Sequence, residues 1–200
     1  MTISPHYNSH MDRVLFDGQQ SDERILYTVL PHPFTRTSSI VSVIFIAVFF
    51  TVVVVMIATA IPIGSLPILL IGITLSLIFT FTSLWYVTTS HSHDRTFLTD
   101  RRIIRFETMS PFFRTKRSLF WSEALKAKAY APNMIYQAMN IGNLVVEPIM
   151  GEGESIRVTN IGYYEDLANY IDKILYIVKN NPPTITALKP FVPKPKGKRD

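Results

Sequence analysis

Six cationic side chains in two short runs have the clearest chemical potential in this sequence. Arg101, Arg102 and Arg105 lie in FLTDRRIIRF, and Arg114, Lys116 and Arg117 lie in FFRTKRS. On neighbouring strands the two runs would form one basic face. Such a face is drawn to anionic headgroups by about 1 kcal/mol per charge. That attraction carries no ligand specificity. The six residues are therefore a candidate lipid- or partner-binding set whose simpler roles are to be solvated and to fix membrane topology. His91-Ser92-His93-Asp94 could hold a metal only on a strand that turns both rings to one face. No cysteine and no second group of ligands joins them, so no metal site is expected. Glu123 and Glu147 have no evident partner that would tune them for acid–base work. Phosphate-cradling glycine loops, nucleophile elbows and zinc-protease helices are all missing from the sequence. Neither a catalytic residue nor a cofactor is expected, and the chain does not read as an enzyme.

The elements that must position these residues begin with a long uncharged region. Hydrophobic residues make up 48% of the 200 positions and charged ones 18%, with a net charge of +5. The distribution matters more than the average. Arg36 is followed by no Asp, Glu, Lys or Arg until Asp94. A bilayer core takes about 20 apolar residues in helical form, so this region predicts two spans, Ile40 to Ile61 and Pro67 to Val87. PIGSLP joins them, with Pro62, Gly64 and Pro67 as helix breakers. Only helices satisfy every backbone group in lipid. The soluble alternative, a buried helical hairpin, does not need so long a charge-free run. Intramembrane charge, the usual mark of a transport path, is absent. Thr51, Thr59, Thr74, Ser76, Thr80, Thr82 and Ser83 can bond back to the preceding turn or bridge the helices. The hairpin therefore reads as an anchor.

Orientation follows from the basic residues. Arg24 and Arg36 precede the first span, Arg95, Arg101, Arg102 and Arg105 follow the second, and the turn between has none. Positive residues stay on the cytoplasmic side, and Trp85 and Tyr86 suit the headgroup level at the inner end of the second span. A multi-pass protein of the cell (inner) membrane with both termini cytoplasmic is expected. The polar N-terminus lacks a cleavable-signal pattern, and the lack of cysteine fits a cytoplasmic-facing protein.

After the spans the pattern changes to RTFL, RRIIRFET, TKRSLFW, LKAKAYA, GNLVVEPIM and ESIRVTNI, each with strand length and strand preference. Thr99-Asp100-Arg101 predicts a tight turn, with Ile104 and Phe106 on one strand face and Arg105 and Glu107 on the other. Gly151-Glu152-Gly153 predicts a later turn, and Ser122 to Leu125 a single helical turn. In GYYEDLANYIDKILYIVKNNPP, Tyr164, Leu167, Ile171, Ile174, Leu175 and Val178 recur at helical spacing. Asn160 suits the cap, Glu165 and Asp166 the N-terminal end and Lys179 the C-terminal end, and Pro182 and Pro183 stop the helix. Interleaved prolines and lysines in KPFVPKPKGKRD predict a disordered basic tail. The expected division is an N-terminal cytoplasmic segment (1–37), a two-span hairpin (38–90), a cytoplasmic domain (91–181) and the tail (182–200).

This order of elements resembles the bacterial pleckstrin-homology-like (PH-like) membrane proteins of the YdbS type. FLTDRRIIRF is similar to that family's Thr-Asp-Arg-Arg hairpin. WSEAL stands at its serine-led link, NIGNLVVEP at its Gly-centred strand and NIGYYEDLANYI at its link into the last helix. DERILYTVLPHPF looks like its acidic-then-aromatic lead with a His near the membrane. The resemblance spans Asp22 to Val178. It implies a two-span membrane hairpin followed by an all-β, partly open seven-stranded barrel with one C-terminal capping helix, and no enzyme activity. Fold alone does not choose among lipid, peptide and protein ligands. The leading expectation is a scaffold or adaptor for other membrane proteins, with the bilayer itself as a partner. The alternative is an anionic-lipid sensor using the two basic clusters. No specific nucleic-acid partner is expected.

Overall fold

The computed structural model describes residues 16–61, 65–110, 113–149 and 154–193. The two uncharged runs form helices α1 (Pro33–Ala60) and α2 (Ser65–His93), both long and apolar enough to cross a membrane. At 1.5 Å per residue the 28 residues of α1 reach about 42 Å, longer than a hydrocarbon core. They meet along small residues. Ala47, Val54 and Ala58 of α1 are buried, as is Ser76 of α2. Thr51 Oγ1 donates to Ala47 O at 2.9 Å and lies 2.9 Å from Ser76 Oγ, so the hydroxyls both back-bond and bridge. Gly72 is needed for close approach, since a Cβ there would lie 2.2 Å from Val54 Cγ1.

Among the described residues, seven strands form two antiparallel sheets. The first sheet has the order β1 (Ile25–Val29), β2 (Arg95–Thr99), β3 (Arg102–Ser110), β4 (Phe113–Phe120). The second has β5 (Ala124–Tyr130), β6 (Ile141–Pro148), β7 (Ile156–Gly162). The sheets do not close into a barrel. A 3-10 turn at Trp121–Glu123 links them, where a single helical turn is predicted. The six predicted strands match β2 to β7. The seventh, β1, comes from the segment ahead of the hairpin and pairs with β2, with Tyr27 opposite Leu98 and Val29 opposite Thr96. The expected boundary between an N-terminal segment and a domain starting at residue 91 therefore does not describe the packing. Residues 16–29 are part of the β-domain, and the hairpin is an insertion between its first two strands.

Leu98, Ile103 and Trp121 of the first sheet and its following turn share one core with Leu144 and Ile161 of the second. A short helix α3 (Met134–Ala138) lies between β5 and β6, and helix α4 (Tyr164–Asn180) covers this core with Tyr164, Leu167, Ile171 and Ile174, the predicted stripe, while Leu175 and Val178 pack at its margin. Gly142 lets α4 approach β6, because a Cβ there would lie 2.5 Å from the Tyr164 ring. Ile104 and Phe106 take the other face of β3, where Phe16 and Phe97 join Ile104 in a second small cluster and Phe106 packs beside it. Asn160 is not the helix cap. It lies within β7 with φ of 57°, and Tyr163, also left-handed, occupies the cap position without a side-chain bond. The Asn160 carbonyl instead accepts from His32 N at 2.8 Å.

The predicted tail is also corrected in part. Pro182–Ala187 forms a 3-10 helix, Leu188 is buried, and Phe191 packs edge-on to Tyr27 with centroids 4.9 Å apart. Phe191 N donates to Leu26 O at 3.2 Å, so this segment covers the free edge of β1. The apolar Leu188 and Phe191 give it a partner that its proline and lysine content conceals. The predicted turn at 151–153 and the charges of 194–200 lie outside the described residues.

Candidate functional site

Each basic candidate is placed by the strand that carries it. Arg102 opens β3 and turns inward, where its Nε donates to Glu23 Oε1 at 2.9 Å and its Nη2 to Glu23 Oε2 at 2.8 Å. Thr99 Oγ1 donates to the same carboxylate at 2.9 Å and Gln20 N at 3.1 Å. Burial works to raise the Glu23 carboxyl, but the Arg102, Gln20 and Thr99 hydrogen bonds with the Arg102 charge outweigh it and hold it below its ordinary value. Arg101 pairs with Asp22 and Gln20. Arg24 N donates to Asp100 Oδ1 at 3.1 Å, and Asp100 N donates back to Arg24 O. The Thr99-to-Arg102 turn is thus a clamp for residues 20–24, and two of the six candidates are consumed in it.

The other four separate. Arg105 and Arg117 face each other in the β3–β4 register, with Arg105 bound to Glu107 at 3.1 Å and Arg117 to Glu154 at 2.8 Å. Lys116 Nζ donates to Asp17 O at 2.7 Å and lies 5.7 Å from the Phe106 ring centroid. Arg114 is exposed on β4. The two clusters are therefore on adjacent strands, as a common basic face requires, but most of their charge is neutralised within the chain. Glu147, for which the sequence suggests no partner, lies 3.5 Å from Lys126 Nζ and 2.5 Å from Lys128 Nζ. The Lys128 bond leads in holding it below its ordinary value.

Sequence reasoning missed the cavity where the hairpin meets the sheets. Its volume is about 200 Å³, and Thr35, Ser90, His91, Asp94, Arg105 and Asn160 help line it. Thr35 stands in the first turn of α1 and Ser90 in the last turn of α2; both side-chain oxygens are buried and find no hydrogen-bond partner among the described residues. The Arg105 side chain is only 9% exposed. Burial holds its guanidinium below its ordinary value, against the opposing pull of Glu107 and Asp94. The two hydroxyls and the buried guanidinium suit a small polar group bearing an anionic oxygen, while the Asp94 carboxylate on the same wall opposes it. The signal lay in Thr35 and Ser90 flanking the spans, but only folding brings them together.

His32 and His91 serve the helices. His32 caps α1, its Nδ1 accepting from Phe34 N at 3.2 Å, and burial lowers its pKa. His91 Nδ1 lies 3.1 Å from Val87 O. No group of three potential metal ligands occurs among the described residues. Comparison with family models, curated proteins and solved structures gives no match.

Proposed function

We propose that this protein is a non-enzymatic, membrane-anchored interaction domain of the PH-like, YdbS type, serving as a scaffold or adaptor for other membrane proteins. In this reading α1 and α2 span the cell (inner) membrane and both termini are cytoplasmic. The observation that carries it is the pairing of β1 with β2 across the hairpin. It ties both ends of the anchor into one sheet, so the domain meets neighbours in the membrane in a set orientation. Tethering raises effective concentration and preorientation lowers the cost of binding, so weak contacts suffice. The helices support the anchor: only 6% of each apolar window is buried inside the protein, unlike the core helices of a soluble fold. Among the described residues β4 pairs with β3 alone and carries exposed Phe113 and Arg114 at its start, an edge that a partner strand could extend.

A photo-reactive residue at Phe113 or Arg114, irradiated in intact membranes, should give a discrete adduct with another membrane protein. The scaffold reading is lost if these sites and matching ones on β5 yield lipid adducts alone.

The cavity favours a second reading, recognition of a phosphate-bearing lipid headgroup. It does so through Thr35, Ser90 and Arg105 rather than through the exposed basic face. Native mass spectrometry of the detergent-solubilised protein should then find phospholipid retained by wild type and lost from Thr35→Val/Ser90→Ala. Equal retention by both would remove the cavity from consideration.

A further inference from the structure

Between Lys128 and Glu147 the chain carries no charged residue. Within that stretch lies α3 (Met134–Ala138), a single short turn of helix whose side chains find little to pack against. Met134 is 86% exposed and Ile135 64%, and Met139 just beyond is also exposed. Such a group of long apolar side chains is costly in water and signals a partner.

The position of α3 identifies that partner. Tyr136 packs edge-on against Phe34, with ring centroids 6.0 Å apart. Phe34 is the second residue of α1, about two turns before the uncharged span begins at Ile40. The backbone around α3 is tied to the same place. Tyr163 N donates to Asn140 O at 3.1 Å, and His32 N donates to Asn160 O at 2.8 Å. The helix therefore sits beside the first turn of α1, joined to it by the Tyr136–Phe34 ring contact.

We propose that α3 is an interfacial foot. Met134, Ile135 and Met139 enter the boundary between headgroups and acyl chains of the leaflet from which α1 starts, and Tyr136 and Phe34 lie at headgroup level. This rests on the reading of α1 and α2 as membrane spans. Its residue types fit that depth: aromatic rings prefer the interface, and exposed apolar side chains on a short helix bury about 5–10 Å into it. A charge in this loop would oppose insertion, and there is none. With the hairpin at one point and α3 at another, the β-domain rests on the bilayer at two places.

The absence of native cysteine permits a direct test. Met134→Cys, Phe49→Cys on α1 and Tyr176→Cys on α4 each receive a nitroxide label in full-length protein reconstituted into vesicles. All three native side chains are exposed. Relaxation by oxygen, which partitions into lipid, is compared with relaxation by a water-soluble nickel chelate. The label at 134 should show an oxygen-to-nickel ratio several-fold above that at 176, approaching that at 49. A ratio at 134 equal to that at 176, with 49 still in lipid, overturns the foot and leaves the spans intact. A label at 134 shielded from both reagents places α3 against protein and also overturns it. A label at 49 that behaves like 176 removes the membrane reading and the foot with it.

Discussion

The Glu23 carboxylate accepts hydrogen bonds from Arg102, Thr99 and the Gln20 backbone, and its side chain is 0% exposed. Removing one partner of a buried ion pair leaves the other charge unsatisfied and costs about 3–5 kcal/mol, whereas replacing both with apolar groups costs far less. Glu23→Ala should therefore lower the thermal stability of the detergent-solubilised protein sharply, and Glu23→Leu/Arg102→Leu should be milder. Trp121 fluorescence can follow unfolding, because its Nε1 donates to Thr99 O beside the pair at 2.8 Å. Glu23 also contributes a pH dependence. Its folded pKa lies below the ordinary 4.5, so the unfolded chain takes up the proton first as pH falls. The stabilisation is complete above about 4.5 and is lost as pH drops through the folded value. The melting temperature of wild type should fall across that acid range, and Glu23→Gln should flatten the fall. The sequence drew attention to Arg101 and Arg102 as chemically distinctive, but their partners lie 79 positions away across two membrane-length helices. Charge type is a local property, whereas neutralisation depends on tertiary pairing, so an apparent binding cluster became a clamp.

Among the elements, those with a strong period were legible. The 3.6-residue stripe of α4, the uncharged lengths of α1 and α2 and the short alternating runs of β2 to β7 each declare the face they bury. Strand β1 did not, because five residues between an acidic lead and a proline pair give too short a pattern. The covering segment after Pro182 was obscured in a similar way, with Leu188 and Phe191 set among prolines and lysines. Helix–helix contact was half legible: the hydroxyls of Thr51 and Ser76 suggested a bridge, but nothing local shows that Gly72 faces Val54. That contact yields a prediction for the hairpin. Gly72→Leu must displace a β-branched side chain now 2.2 Å from the position of the added Cβ, and small residues are what permit close helix approach in lipid. A disulfide engineered by Thr51→Cys and Ser76→Cys should form readily in the wild-type background, where the two hydroxyls are 2.9 Å apart. It should form several-fold more slowly with Gly72→Leu. Equal rates would mean that Gly72 does not set the approach.

For the molecule as a whole, the apolar helical hairpin is inserted between two neighbouring strands of one sheet. Every connection between the first strand and its neighbour passes through α1 and α2, yet β1 and β2 lie side by side. Arg24 and Asp100, bonded to each other, are 76 residues apart in the chain. Read as a membrane anchor, this arrangement demands that both flanks of the hairpin reach the same side, which only an even number of crossings allows. The basic residues flanking the spans predict the same topology by an independent rule. The cavity and α3 both lie where the inserted hairpin leaves the sheets, a place no linear reading could assemble from Thr35, Ser90 and Phe34. The inserted hairpin also imposes an order on biogenesis. A ribosome releases β1 long before β2 exists, so in the proposed membrane reading the first strand waits without its mate while the two helices enter the bilayer. Under that reading nucleation of the sheet is gated by insertion, and a nascent chain stalled between the helices would carry a strand with no mate.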